Sequence, residues 1–297
     1  GSDMHLQTSD FAEEVQVLAA ALRPMRDAQW TQPTQFKQWT PEHILRHLHC
    51  WNEAADWAVH SPKTFQERLA SSREHTRQGG NMREFERQMV DVSGHALLER
   101  WQAFALDMAE RWQVLDARQR VDWAGPPMSV RSSLTARQME TWAHGQAIFD
   151  MLGQDRPETA RLRNIVVLGV NTFAWSHKVR GWDVPDPMPR LELTGQPERS
   201  GLLARPASPV GVQGSATAFA QVVTQTRHLL DTDLRVEGAV ARRWLLHAQC
   251  FAGAAEPPPA PGQRHKVLRA SQTGSGPTRC HRPARGIAFA AKKPSGE

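Results

Sequence analysis

The stretch WTPEHILRHLHCWN, Trp39 to Asn52, decides how the first half of the chain folds. Thr40-Pro41-Glu42 is a helix start. A threonine can cap the first free amides, a proline suits the first helical position, and an acid follows at the positive end of the helix dipole. Ile44, Leu48, Trp51 and Ala55 then recur at helical spacing and make one apolar stripe. The pattern predicts a helix to about Val59, stopped by Ser61-Pro62. Three histidines ride on it. His47 borders the stripe and is read as facing inward. His49 falls on the flank with Arg46, Asn52 and Glu53 and is read as wetter, and His43 lies one turn before His47.

Three more helices are expected around this one. Asp10 is a plausible N-cap for Phe11 to Leu22, where Phe11, Val15, Leu18 and Leu22 share a face. Ser93 to Leu115 offers Leu97, Trp101, Phe104, Leu106, Met108 and Trp112 as core. Gly125-Pro126-Pro127 breaks the chain, and a fourth helix runs from about Leu134 to Leu152. Lys63 to Arg87 is highly charged and reads as short helical pieces and loop. Four helices joined in this way predict an antiparallel bundle with one or two long crossings. Gly1-Ser2-Asp3, ahead of Met4, reads as a tag remnant and is left out of the fold.

The second half changes character. Thr159 to Lys178 is helical, and Pro185, Pro187 and Pro189 follow. Arg190 to Thr194 alternates polar and apolar, as a half-buried strand does. Val210 to Gln213 and Leu234 to Glu237 are further strand candidates; Ser215 to Gln225 and Val240 to Ala252 are helix candidates. The fold class is therefore α followed by α+β, with domains expected at residues 4–156 and 157–256. From Pro257 to Glu297 the composition is rich in Pro, Gly, Ser and Arg, and this tail is expected to be disordered.

Composition narrows the function. Formal charge is +5 with pI near 9.5, yet the stretch from Arg264 carries about +7 and the rest about −2. The basic character belongs to the tail, so a nucleic-acid interface is not expected. The longest apolar run, Ile165 to Val170, is too short to cross a bilayer, and no membrane partner is expected. Cys50, Cys250 and Cys280 form neither a disulfide framework nor a Cys-x-x-Cys site, which fits a reducing cytoplasm. A phosphate-binding loop, a Gly-x-Ser-x-Gly elbow and a convincing Cys/His dyad are all missing.

What remains is METWAHGQ, Met139 to Gln146. Glu140 and His144 are four apart on the inward face of the fourth helix, together with Ala136, Ala143, Ala147, Ile148 and Met151. A carboxylate there needs a partner. With His47 from the second helix, the pair makes a two-histidine, one-carboxylate set with room for open coordination positions. His43 and His47 form a rival pair at the same spacing. Gly145, lacking a side chain, would let a helix or ligand come close.

Trp39-Thr40, then His47-Leu48, then Glu140-x-x-x-His144 resemble the DinB-like superfamily. More closely, they resemble the metal-binding domain of mycothiol-dependent maleylpyruvate isomerase. RLRNIVVLGVNTFAW, VVTQTRHLLDT and WLLHAQCFAG extend the likeness to an uncharacterised subfamily, over about Met4 to Gly253. The resemblance implies zinc on His47, Glu140 and His144. It implies a second domain similar to sterol carrier protein 2 that supplies an arginine to the active site. Arg227 is the best match, with Arg242 and Arg243 as alternatives. It also implies a low-molecular-weight thiol, mycothiol or glutathione, that adds to an activated alkene, allows rotation and leaves. The function expected is thus a zinc-dependent, thiol-using enzyme, an isomerase or a thiol S-transferase, acting on a small electrophilic and carboxylated substrate. A homodimer is allowed. The competing readings are a metal-dependent hydrolase, a non-enzymatic metal- or lipid-binding module and an Fe(II) oxygenase.

Overall fold

A computed structural model describes residues 3–195 and 210–268. The chain divides into two compact units, Gly1–Gly145 and Gln146–Glu297.

The first unit contains α1 (His5–Leu22), α2 (Asp27–Trp30), α3 (Pro41–His60), α4 (Pro62–Arg77), α5 (Met82–Met89) and α6 (Gly94–Trp112). A two-strand hairpin, β1 (Arg120–Val121) and β2 (Met128–Ser129), then leads into α7 (Val130–Leu152), inside which the division falls. The long helices pack together: α1 and α3 both lie on α6. Helix α7 is tied to α3 by Arg137 Nε donating to Asn52 Oδ1 at 2.9 Å, and to α1 by Gln138 Nε2 donating to Glu14 Oε1 at 3.3 Å.

Helix α3 begins as its sequence dictates. Thr40 Oγ1 accepts from the His43 amide, and His43 Nδ1 accepts from the Thr40 amide, closing a capping box. Ile44, Leu45 and Leu48 are wholly buried. Each such side chain contributes roughly 1.5–3 kcal/mol relative to exposure. Pro62 does end α3, and it also occupies the first turn of α4, because the donor it lacks is not needed there.

Several expectations for this unit need correction. Helix α1 starts at His5, not Phe11, since the buried Met4 anchors its first turn; Asp10 is mid-helix and buried rather than a cap. The charged stretch after Lys63 forms two regular helices, α4 and α5. The last α6 turn closes at Trp112, and Phe104 and Leu106 are only half-buried. His49 is buried, not wet. Helix α6 covers that flank of α3 and sets Phe104 edge-on to the His49 ring at 5.4 Å.

In the second unit a 3-10 turn at Ala160–Leu162 precedes α8 (Arg163–Asn171) and α9 (Phe173–Lys178). The single helix expected here is interrupted at Thr172, whose hydroxyl donates back to the Leu168 carbonyl at 2.7 Å. Strands β3 (Arg190–Thr194) and β4 (Val210–Ser215) pair in parallel, and α10 (Ala216–Val223) follows at once with Ser215 as its cap. Strand β5 (Arg235–Val236) pairs antiparallel to β4, giving the order β3-β4-β5, and α11 (Ala239–His247) closes the unit. Leu191 and Val212, paired in register, are fully buried. Gly169 lets α8 lie against α10: a Cβ there would stand 2.8 Å from Val223 Cγ2 and 2.9 Å from Phe219 Cε2.

The expected disordered tail is corrected over its first part. Pro257 to Leu268 folds back onto the second unit: the Val267 amide donates to the Asp150 carbonyl at 2.9 Å, and Arg264 is buried. The remainder of that expectation, residues 269–297 with Cys280, lies outside the described residues. No helix among the described residues is long and apolar enough to cross a membrane.

Candidate metal centre

Residues from α3 and α7 meet inside the first unit. One ligand-type atom from each of His47, Glu140 and His144 lies within 4.8 Å of the other two. Glu140 and His144 share a face because they are one turn apart; Glu140 Oε2 is 3.0 Å from His144 Nε2. His47 comes across from α3, its ring 4.8 Å from that of His144 and tilted 65° to it. All three are half-buried. His43 is not part of the group; its Nδ1 is used in the capping box of α3.

The electrostatics favour a charged Glu140 carboxylate and disfavour the protonated form of His144. Burial pushes the Glu140 carboxyl up, but the His144 hydrogen bond and the charges of His144, Arg137 and His47 overcome it and hold it at about 2. Burial drags the His144 imidazole below its ordinary range, opposed by the Glu140 hydrogen bond and helped by the charges of His47 and Arg83. An ionised carboxylate and an imidazole with a free lone pair are the forms that ligate metals.

Aromatic and charged groups wall the site. Trp39 stacks parallel to the His144 ring, 5.4 Å between centroids, and Phe36 meets the same ring edge-on at 5.3 Å. Glu86 of α5 sits 2.6 Å from His47 Nδ1, and Arg83 pairs with Glu86 at 3.0 Å. Arg137, buried on α7, contributes positive charge next to Glu140. Sequence reasoning did not single out Phe36, Arg83, Glu86 or Arg137. Glu86 had one faint signal. It follows Phe85, one of two phenylalanines in a charged stretch, in a helix capped by Asn81 with Glu84 three residues on.

The donor set fits zinc. In a tetrahedron with bonds of about 2.0–2.1 Å the ligand atoms stand roughly 3.4 Å apart, so small side-chain shifts would suffice. Two histidines and one carboxylate leave coordination positions open, as catalytic rather than structural zinc requires.

Arg227 stands in the second unit, just after α10. Its guanidinium donates to both Asp150 oxygens at 2.6 Å, and both side chains are buried. Its fork is thus occupied by a carboxylate of the chain itself. Arg242 is half-buried on α11, and the exposed Arg243 lies over the Trp182 ring at 3.7 Å.

Comparison with known proteins agrees with the residue pattern. Residues 11–149 match the family described as the mycothiol maleylpyruvate isomerase N-terminal domain. The uncharacterized proteins MT0041 and Rv0036c, from two strains of Mycobacterium tuberculosis, are each 33% identical over 255 residues, covering 86% of this chain and 97% of theirs. Two solved structures of mycothiol-dependent maleylpyruvate isomerase, one of them a mutant, align with TM-score 0.47 at 18% and 16% identity. They cover 74% of this chain and 88% of those chains. The chain belongs to the family of these mycobacterial proteins and carries a mycothiol maleylpyruvate isomerase N-terminal domain of the DinB-like kind.

Proposed function

We propose that the protein is a zinc-dependent, thiol-using enzyme, an isomerase or thiol S-transferase for a small electrophilic substrate. The observation that carries this reading is the meeting of His47, Glu140 and His144 within 4.8 Å, from two helices far apart in sequence. The matched family, named for a mycothiol-dependent isomerase, supports the thiol.

A divalent ion at such a site acidifies a bound thiol or water and so supplies a nucleophile near neutral pH. The chain prepares for that. Glu140 is held ionised, and burial disfavours the protonated form of His144. Arg83 and Arg137 balance Glu86 and Glu140, so a divalent ion would leave its own charge uncompensated. That excess favours an anionic ligand such as a thiolate or a carboxylate. Trp39 and Phe36 shield the imidazoles and limit water access. The buried thiol of Cys50 suits a reducing compartment, as the cytoplasm is. The small β3-β4-β5 sheet with α10 packed on it supports reading the second unit as similar to sterol carrier protein 2.

The test is conjugation or isomerisation of a chromogenic electrophile by zinc-loaded protein with mycothiol, glutathione and other small thiols in turn. Turnover with at least one thiol, abolished by chelation, is expected. Full zinc loading without turnover for any thiol would refute the thiol reading.

A further inference from the structure

One short helix, α5, which packs on α3 and α4, brings Arg83 and Glu86 to the wall of the candidate centre. We infer that α5 positions both histidines: Glu86 holds His47 directly, and Arg83 holds His144 through Trp39. The consequence for metal affinity rests on the zinc reading above.

Glu86 is almost fully buried, with 1% of its side chain exposed. Its Oε2 accepts from His47 Nδ1 at 2.6 Å and from Trp51 Nε1 at 2.8 Å, while its Oε1 faces Arg83 Nη2 at 3.0 Å. Trp51 Nε1 and Arg83 Nη2 both give hydrogens to this carboxylate, so it stands as an acceptor; His47 Nδ1 is then the donor in their contact, and Nε2 is the nitrogen left to face an ion. A carboxylate behind a ligand histidine fixes its tautomer and ring plane and raises its basicity.

Arg83 completes the arrangement. The centre of its guanidinium lies 3.4 Å from the centroid of the Trp39 ring. The same indole stacks on His144, whose ring plane differs from it by only 10°. Trp39 also meets His47 edge-on at 5.3 Å. One arginine thus neutralises the carboxylate behind His47 and closes the stack on His144. Asn81 caps α5, and Phe85 is 2% exposed, so the helix is anchored while it presents these two side chains. Both are positioning residues.

Two readouts on the full chain test this. Long-range proton–nitrogen NMR of metal-free protein reports the His47 tautomer: Nδ1–H is expected in wild type, with a shift toward Nε2–H in Glu86→Leu. Zinc competition against a chromophoric chelator reports affinity. Glu86→Gln and Arg83→Met are each expected to weaken it by about tenfold to 100-fold. If Glu86→Leu does not fold, Glu86→Gln supplies both readouts. An unmoved tautomer with affinity within about twofold of wild type overturns the assignment of Glu86. Unchanged affinity in Arg83→Met overturns the half that concerns His144. A tautomer that shifts in Glu86→Leu, in a protein whose wild type takes up no zinc, would instead sink the zinc reading and leave the positioning role of Glu86 standing.

Discussion

Glu140 Oε2 lies 3.0 Å from His144 Nε2, so the pair that the sequence sets one turn apart is already in contact. With no ion, each satisfies the other. An ion that replaces this contact must bind the folded state better than the unfolded chain, and it will then stabilise the fold. Free zinc at about 100 times its dissociation constant should add about 2.7 kcal/mol and raise Tm. His47→Ala should lose most of that increment. Scanning calorimetry with and without zinc checks it, and an equal rise in the variant would place the ion elsewhere.

The capping box of α3 separates two histidine roles. Thr40→Ala should cost about 1 kcal/mol, because the His43 amide loses its acceptor. His43→Ala should also lower stability, yet keep full metal content, since its Nδ1 serves the helix start. Urea titration beside metal analysis decides; loss of metal in His43→Ala would revive the pairing of His43 with His47.

Arg227 and Asp150 form a buried fork-to-carboxylate pair. Arg227→Leu should destabilise by about 3 kcal/mol, because a buried carboxylate loses its main partner. Adding Asp150→Leu should return part of that loss, a coupling that a double-mutant cycle in urea measures. Simple additivity would mean the two side chains act independently.

Cys50 should be inert. Burial pushes its thiol up to about 12, against the opposing charge of Arg68, whose Nη1 donates to Sγ at 3.0 Å. At pH 8 it should resist a thiol reagent until the chain unfolds. The raised pKa also fixes a sign. Between pH 9 and 12 the unfolded chain gives up this proton and the folded chain keeps it, so stability falls as pH rises through that window. Labelling of native and unfolded protein in a Cys280→Ser background checks the first point. Denaturation of that protein and its Cys50→Ala variant across pH 9 to 11 checks the second. Fast native labelling, or identical pH slopes, would contradict the account.

Much of the fold was legible where one local rule dominated. Thr40-Pro41 marked the start of α3, and alternation marked β3 at Arg190–Thr194. The charged stretch was not legible, because α4 and α5 bury few apolar residues, chiefly Phe65, Leu69 and Phe85, too few to give a clear period. Glu86 was hidden there for that reason. His49 was misplaced because a stripe shows which face is most apolar, not how many faces are covered; α6 covers the second. Asp10 looked like a cap because residue type says nothing of the chain before it, and Met4 carries the helix further back. The three candidate ligands could be named because inward-facing polar groups on apolar helices stand out, but the residues that orient them lie in patternless sequence.

The most direct measurement is elemental analysis of wild type beside His47→Ala and Glu140→Gln, each shown to be folded by circular dichroism. The account predicts close to one zinc per chain in wild type and substoichiometric metal in both variants. Stoichiometric metal retained in the variants would contradict it.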